Sequence, residues 1–392
     1  MKIYRFVIPV ALVVAGCSGS DSAAEPAGTA PQETAAPVET AAPAETAVGA
    51  EAPATDVSID SAPETEPVPT QSESEAAESA PDSSGGNEPD STGGGFVIDG
   101  PAQVRRTCDS LPQGVTDITL DAGGAVHDVR VFVPTNVSND PAPVVLNWHG
   151  LGSNGPEQAV FTGYETLAEQ EGFIVVHATG VAAGGDGRNS WELTEFDTPE
   201  RDDLAFADAL IDTVVDEWCG DPARVYSTGM SNGGFFTAEL VCGRADRIAA
   251  AVSVAGITHP DSCEPSRAVP YVAVHGTDDS VVPVAGTGES TLVDEVDPDG
   301  FFGQVMPEEF AEFAADAGCD PEPTRTEETP EVISYVYTGC TDDVPMTFYE
   351  IVGGGHTWPD SPLADQLADF GFFTDDISAT ADGWAFMSQH SL

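Results

Sequence analysis

From about residue 96 onward the chain alternates short apolar runs with stretches of helical period. Strands are expected at Val126 to Val133, Val144 to Asn147, Phe173 to His177, Val225 to Thr228, Ala249 to Val254, Tyr271 to His275 and Phe348 to Val352. The run Val144 to Asn147 is almost continuously apolar, as strands buried on both faces are. Between these runs a 3.6-residue pattern predicts helices over about Glu157 to Glu171, Asp203 to Trp218, Gly234 to Ala245, Pro307 to Ala317 and Ala379 to His390. This alternation predicts the α/β class, a mostly parallel central sheet with helices on both faces. In such sheets the chemistry gathers where strands end and loops begin.

Before residue 96 the pattern is different. Lys2 and Arg5 precede an apolar run from Phe6 to Ala15 that ends in Val14-Ala15-Gly16-Cys17. The run is about half the length a bilayer span requires, so residues 1–17 read as a signal peptide. Its last four residues resemble a bacterial lipobox, which makes Cys17 the expected lipidation site and the first residue of the mature protein. Residues 18–95 repeat Ala, Pro, Glu, Ser and Thr, with no aromatic residue and no positive charge. Such a segment buries too little apolar surface to offset the entropy of ordering, so an acidic, disordered linker is expected, spanning on the order of 50 Å as a coil. Residues 96–392 then form the folded domain.

Charge narrows the choice of partners. Twelve basic residues stand against 67 acidic ones, for a formal charge of -55, and Lys2 is the only lysine. Phosphate-backbone binding is therefore excluded as an expectation, and the acidic residues read as a hydrated surface. Six cysteines remain after Cys17. An even count in an exported chain predicts disulfides. Cys319 with Cys340 is the natural local pair, and Cys242 with Cys263 and Cys108 with Cys219 complete the set.

The candidate chemistry centres on Gly229-Met230-Ser231-Asn232-Gly233, between the strand ending near Thr228 and the helix that follows. Here the glycines remove side chains that would collide across a sharp bend, and Ser231 is lifted to a helix N-terminus, where developing negative charge is favoured. A serine hydroxyl needs a base, and the base needs a partner that orients it. Of seven histidines, His356 stands in Gly353-Gly354-Gly355-His356-Thr357-Trp358-Pro359, a loop just after a strand and in the chain order expected of an α/β-hydrolase. The acid belongs between them, in Thr277-Asp278-Asp279-Ser280, where spacing alone leaves Asp278 and Asp279 both open. For the oxyanion, the amide of Asn232 is one expected donor and that of Leu151 the other, with Gly150 second. His149 is expected to pack beneath that loop. No metal and no cofactor is expected, because no His, Cys and carboxylate cluster shows ligand spacing in the sequence. Trp191, in the loop Arg188 to Trp191, and Trp358 are candidates to line a substrate pocket.

Taken together, His149-Gly150, Asp202-Asp203, Cys219 to Tyr226, GMSNGG at 229–234, HGTDDSVVP at 275–283 and GGGHTWP at 353–359 resemble the extracellular polyhydroxybutyrate depolymerase-like esterases, a family that includes feruloyl and acetylxylan esterases. The resemblance covers residues 103 to 392. It implies an α/β-hydrolase fold, hydrolysis of a carboxylic ester through an acyl-enzyme, and Asp279 rather than Asp278 as the triad acid with Ser231 and His356. Asp278 and Ser280 depart from the Ala and Pro common in the family, and residues 286–304 and 360–374 are unfamiliar segments expected to border the pocket. The expected partners are an ester substrate, polymeric or not, and a membrane surface reached through Cys17. A monomer outside the cell is expected. The competing expectations are a serine peptidase on the same fold and a non-catalytic surface-binding lipoprotein.

The charge imbalance generates a measurable expectation. Self-repulsion of the acidic surface weakens as the screening length falls from about 10 Å at 0.1 M salt to about 3 Å at 1 M. The thermal unfolding midpoint should therefore rise between low and molar salt; equal midpoints in the two would overturn the idea.

Overall fold

The computed structural model describes residues 108–182, 187–193, 201–292, 296 and 301–392. The signal peptide, Cys17 and the linker at 18–95 lie outside the described residues. The order of the main elements begins with β1 (Gly114–Ala122), β2 (Ala125–Val133), β3 (Ala142–Trp148), helices α1 (Gly155–Thr162) and α2 (Tyr164–Glu171), and β4 (Ile174–Ala178). A two-stranded ribbon, β5 (Val181–Ala182) and β6 (Asn189–Ser190), precedes α3 (Asp203–Glu217) and β7 (Gly220–Met230). Then come α4 (Asn232–Gly243), β8 (Ala250–Val254), β9 (Tyr271–Gly276), α5 (Met306–Asp316), β10 (Thr324–Glu327), β11 (Val332–Tyr337), β12 (Met346–Ile351) and α6 (Ala381–Met387).

Ten strands form one sheet in the order β1-β2-β4-β3-β7-β8-β9-β12-β11-β10. The six central strands, β4 to β12 in that order, run parallel, and antiparallel strands close both edges. With helices on both faces this is an α/β-hydrolase fold. Successive residues of a strand face opposite sides. Val144, Leu146 and Trp148 accordingly join a core with Phe206 and Leu210 of α3 and Phe235 and Phe236 of α4. Val145 joins the opposite core with Tyr164 of α2 and Trp384 and Met387 of α6.

The helical stretch expected from Glu157 to Glu171 is two helices. Gly163 sits at φ 72 between them, a left-handed conformation that closes α1, and its amide donates to the Ala159 carbonyl. Asn154 caps the start of α1, its side chain accepting from the Glu157 amide at 2.9 Å. Gly172, at φ 81, ends α2 in the same way. β1, β10 and β11 were not anticipated. β1 alternates half-buried and exposed positions, which blurs the apolar signal, whereas Val332–Tyr337 is an apolar and aromatic run that pattern reading had the means to find.

The three expected disulfides are present: Cys108–Cys219, Cys242–Cys263 and Cys319–Cys340. Cys108–Cys219 closes the longest loop, with a sequence separation of 111 residues, and ties the first turn to the start of β7. In the chain-entropy account a loop of that size gives the largest stabilisation of the three, about 4–5 kcal/mol.

His177 on β4 is fully buried, and neither ring nitrogen has a hydrogen-bond partner among the described residues. Burial first, and the nearby Arg130 charge second, push its pKa down to about 3. A free imidazole titrates near 6.5, so between about pH 6.5 and 3 the unfolded chain binds a proton that the folded chain refuses. Folding stability is therefore lost as pH falls through that window, by up to about 1.4 kcal/mol per unit from this residue. His177→Leu should hold its denaturation midpoint at pH 7 and show a shallower decline from pH 7 to pH 5 than the parent. Parallel declines in the two proteins would exclude His177 as a source of the pH dependence.

Candidate active site

The turn from β7 into α4 carries Ser231 at φ 55, ψ −122, a positive φ unusual for a side-chain-bearing residue. Backbone bonds hold it there. The Ser231 amide donates to the Val254 carbonyl at the end of β8 (2.8 Å), and the Ser231 carbonyl accepts from the Phe235 amide (2.9 Å). The flanking glycines are required by close approach. A Cβ on Gly229 would lie 2.3 Å from the Gly233 carbonyl oxygen, and one on Gly233 would lie 2.3 Å from the Trp148 carbonyl oxygen. This is the elbow expected from the GxSxG spacing.

Asp279 follows β9 and His356 follows β12, so both leave the same edge of the parallel sheet as Ser231. Their loops are joined by backbone bonds. The Thr277 amide donates to the Ile351 carbonyl and the Asp278 amide to the Gly354 carbonyl, each at 2.9 Å, while the Gly353 amide donates to Thr277 Oγ1 at 2.8 Å. Of the two candidate acids the structure brings Asp279 to the histidine, with His356 Nδ1 2.7 Å from Asp279 Oδ2. Asp278 is exposed. With the Nδ1 proton directed at the carboxylate, a neutral His356 presents Nε2 as a base.

The carboxylate is held on both oxygens. Oδ1 accepts from the Val281 and Val282 amides, both at 2.8 Å. Oδ2 is also 3.3 Å from His275 Nε2. That same nitrogen is 2.8 Å from the Val282 carbonyl, which can only accept, so the network assigns the His275 proton to Nε2. Burial alone would raise the Asp279 pKa. Hydrogen bonds from His275 and His356, with their charge attraction, outweigh it and hold the group well below the usual carboxylate range. His275 as a second donor was not foreseen, although it opens the same HGTDDSVVP segment.

The turn after β3 approaches Ser231 from the other side. A Cβ on Gly150 would lie 3.4 Å from Ser231 Cβ and 3.9 Å from its Oγ. Leu151, the expected donor residue, is in this turn and exposed. Asn232 opens α4, and the first amides of a helix have no intrahelical acceptor. His149 packs beneath the turn as expected. Its Nε2 accepts from the Gly180 amide at 2.9 Å, and burial pushes its pKa down to about 4, against the opposing effect of the bond to the Gly150 carbonyl.

The tryptophans are placed differently from expectation. Trp191 is 1% exposed, packs edge-on to Trp148 and stacked on Phe236, and donates from Nε1 to the His149 carbonyl at 3.1 Å. Trp358 is fully buried and donates from Nε1 to Thr380 Oγ1 at 2.9 Å. Both indole N–H groups find acceptors inside the protein, so both rings are core and neither lines a substrate pocket. Described residues of both unfamiliar segments bond to the loops that carry Asp279 and His356. Ser290 Oγ donates to the Val281 carbonyl, and the Gly355 and His356 amides donate to the Phe372 and Phe370 carbonyls at 3.2 and 3.0 Å. Phe370 and Phe372 are exposed there.

One group among the described residues has metal-ligand spacing: His259, Cys263 and Asp316, whose ligand atoms lie within 4.8 Å of one another. The Cys263 sulfur is already bonded to Cys242, which leaves two ligands.

Comparison with known proteins adds to this geometry. No family model matches the chain. It is 29% identical over 247 residues to the bifunctional acetylxylan esterase/xylanase XynS20E of Neocallimastix patriciarum, covering 63% of this chain and 33% of that protein. It is 29% identical over 270 residues to feruloyl esterase B of Piromyces equi, covering 67% of this chain and 45% of that protein. It is 27% identical to the putative esterase NocK of Nocardia uniformis subsp. tsuyamanensis, covering 61% of this chain and 72% of that one. The chain thus spans less than half the length of the first two relatives. Among solved structures, the acetyl xylan esterase from Aspergillus awamori aligns with a TM-score of 0.46 at 18% identity, covering 66% of this chain and 98% of that one.

Proposed function

We propose that this chain is an exported serine esterase that hydrolyses carboxylic esters by way of an acyl-enzyme. The observation that carries the reading is the 2.7 Å bond from His356 Nδ1 to the buried Asp279, at the sheet edge where Ser231 occupies its strained turn. In this reading the Ser231 hydroxyl attacks the ester carbonyl and passes its proton to His356 Nε2. Asp279 orients the ring and stabilises the imidazolium. The amides of Asn232 and Leu151 receive the oxyanion. The imidazolium then protonates the departing alkoxide, and water, activated by the same nitrogen, releases the acid. The relatives named feruloyl and acetylxylan esterases favour hydroxycinnamoyl or acetyl esters of plant polysaccharide, and a polyester of the hydroxybutyrate kind is the further candidate from motif resemblance.

A panel of methyl ferulate, acetylated xylan and hydroxybutyrate oligomers tests the substrate class. Ser231→Ala should lower turnover on the best of these on the order of a millionfold. Retention of ester hydrolysis by that variant would exclude the assignment, and cleavage of peptide anilides in preference to esters would favour a peptidase instead.

Export is supported by the three disulfides, which form in oxidising compartments. We assign anchoring at the outer face of a membrane to a lipid on Cys17, with residues 18–95 as the tether. Cells fed labelled palmitate should yield labelled protein, and Cys17→Ser should abolish the label; an unlabelled parent protein would rule the anchor out.

A further inference from the structure

The side chain of Asn232 does something its backbone amide does not. Its Oδ1 accepts from the Trp191 amide at 2.6 Å and its Nδ2 donates to the Trp191 carbonyl at 3.0 Å, so one side-chain amide clamps both polar backbone groups of a residue 41 positions away. Only this orientation of the Asn232 amide satisfies both bonds. The clamped segment also reaches the opposite wall of the site. The Asn189 carbonyl accepts from the Gly152 amide at 2.7 Å, Asn189 Nδ2 donates to the Ser153 carbonyl at 2.9 Å, and Trp191 Nε1 donates to the His149 carbonyl at 3.1 Å. Residues 189–191 therefore touch both the helix start that carries one oxyanion amide and the turn that carries the other.

That segment is itself anchored. Arg201 Nη2 donates to the Ser190 carbonyl at 2.6 Å, and its Nε and Nη2 hold Asp203 at 2.8 and 3.0 Å. Asp203 Oδ2 in turn accepts from the Glu192 amide at 2.8 Å. The Arg201 and Asp203 side chains are 5% and 1% exposed. Arg201 Nη1 also lies 3.8 Å from the buried Glu192 carboxylate, and removing one member of so buried a charge cluster would strand the others without water, so the contact is costly to break.

We infer that Asn189, Asn232 and Trp191 form a brace that sets the distance between the two oxyanion-hole amides, with Arg201 and Asp203 as its buried anchor. This rests on the serine esterase reading. In the brace all five act by positioning, Asn232 through its side chain and apart from the oxyanion contact of its backbone amide. Their effect belongs in the transition state, because an oxyanion is held well only by donors at about 2.7–3.1 Å, and a 1 Å misplacement costs about a hundredfold.

The test compares Asn232→Ala, which keeps the backbone amide and removes the clamp, with the milder Asn189→Ala. On a soluble ester that the parent hydrolyses and Ser231→Ala does not, Asn232→Ala should lower kcat about 10- to 100-fold with KM within about twofold. Affinity for a trifluoromethyl ketone, whose adduct with the serine carries an oxyanion, should fall by the same factor. Asn189→Ala should move both quantities the same way by a smaller factor, and it decides the matter alone if Asn232→Ala fails to fold. A merely structural role would lower the melting temperature and leave both quantities unchanged. Parental kcat and inhibitor affinity in the folded variants, a loss carried by KM, or a kcat loss without the matching loss of affinity would each overturn the brace. A parent protein without ester turnover would instead remove the esterase reading on which it rests.

Discussion

Everything near Ser231 depends on how closely two pieces of backbone pass each other. The start of α4 runs against the end of β3 so tightly that a single added carbon on Gly233 would sit 2.3 Å from the Trp148 carbonyl oxygen. That approach puts the first amides of α4 beside the turn at Gly150 and Leu151. It also forces the residue between β7 and α4 into a positive φ, which costs of order 1–3 kcal/mol and persists only where the surroundings over-determine it. Here the Val254 carbonyl, fixed in the neighbouring strand, holds the Ser231 amide. The strain is local, and the sheet that contains it is large.

The same sheet explains why the acid and the histidine meet. β9 and β12 are adjacent parallel strands in register from Tyr271 opposite Met346 to Gly276 opposite Ile351, so their following loops begin level with each other. Three further bonds between those loops remove the freedom that remains. Asp279 can then be buried and still ionised, because four N–H groups surround its two oxygens. A carboxylate without them would be driven towards protonation by the same burial. The acid loop is thus a preformed anion site whose geometry is set before any substrate arrives.

How much of this was legible in the sequence follows the range of each interaction. The parallel strands read clearly because burial on both faces leaves continuous apolar runs. The elbow read clearly because its glycines are local necessities. Asp279 was separable from Asp278 by resemblance alone, since spacing is blind to a one-residue choice that the Val281 and Val282 amides make in three dimensions. The edge strand β1 was hidden by half-exposed alternation, and β10 by being exposed at all of its positions. Trp191 and Trp358 were misplaced because an aromatic beside a motif has the same letter whether it faces substrate or core; each indole N–H is satisfied by a buried acceptor that no local pattern announces. The clamp of Asn232 on Trp191 has no sequence signature at all.

The arginines bear on the last point. Eleven of the twelve basic residues are arginine, and among the described ones Arg130, Arg224, Arg244 and Arg247 hold acidic partners near the surface, as Arg244 and Arg247 hold Asp208 and Arg130 holds Glu165. Such pairs are exposed enough for water and salt to weaken them. Arg201 is the exception among the arginine pairs of the described residues, with both its own side chain and that of Asp203 buried. Its planar fork meets both carboxylate oxygens and the Ser190 carbonyl at once, a geometry a lysine ammonium does not reproduce. A carboxylate buried at that depth without a partner would carry a large desolvation cost. The burial of Arg201 is what lets Asp203 stay there as an acceptor for the Glu192 amide. The anchoring of residues 190–192 therefore depends on one of the few positive charges the sequence contains.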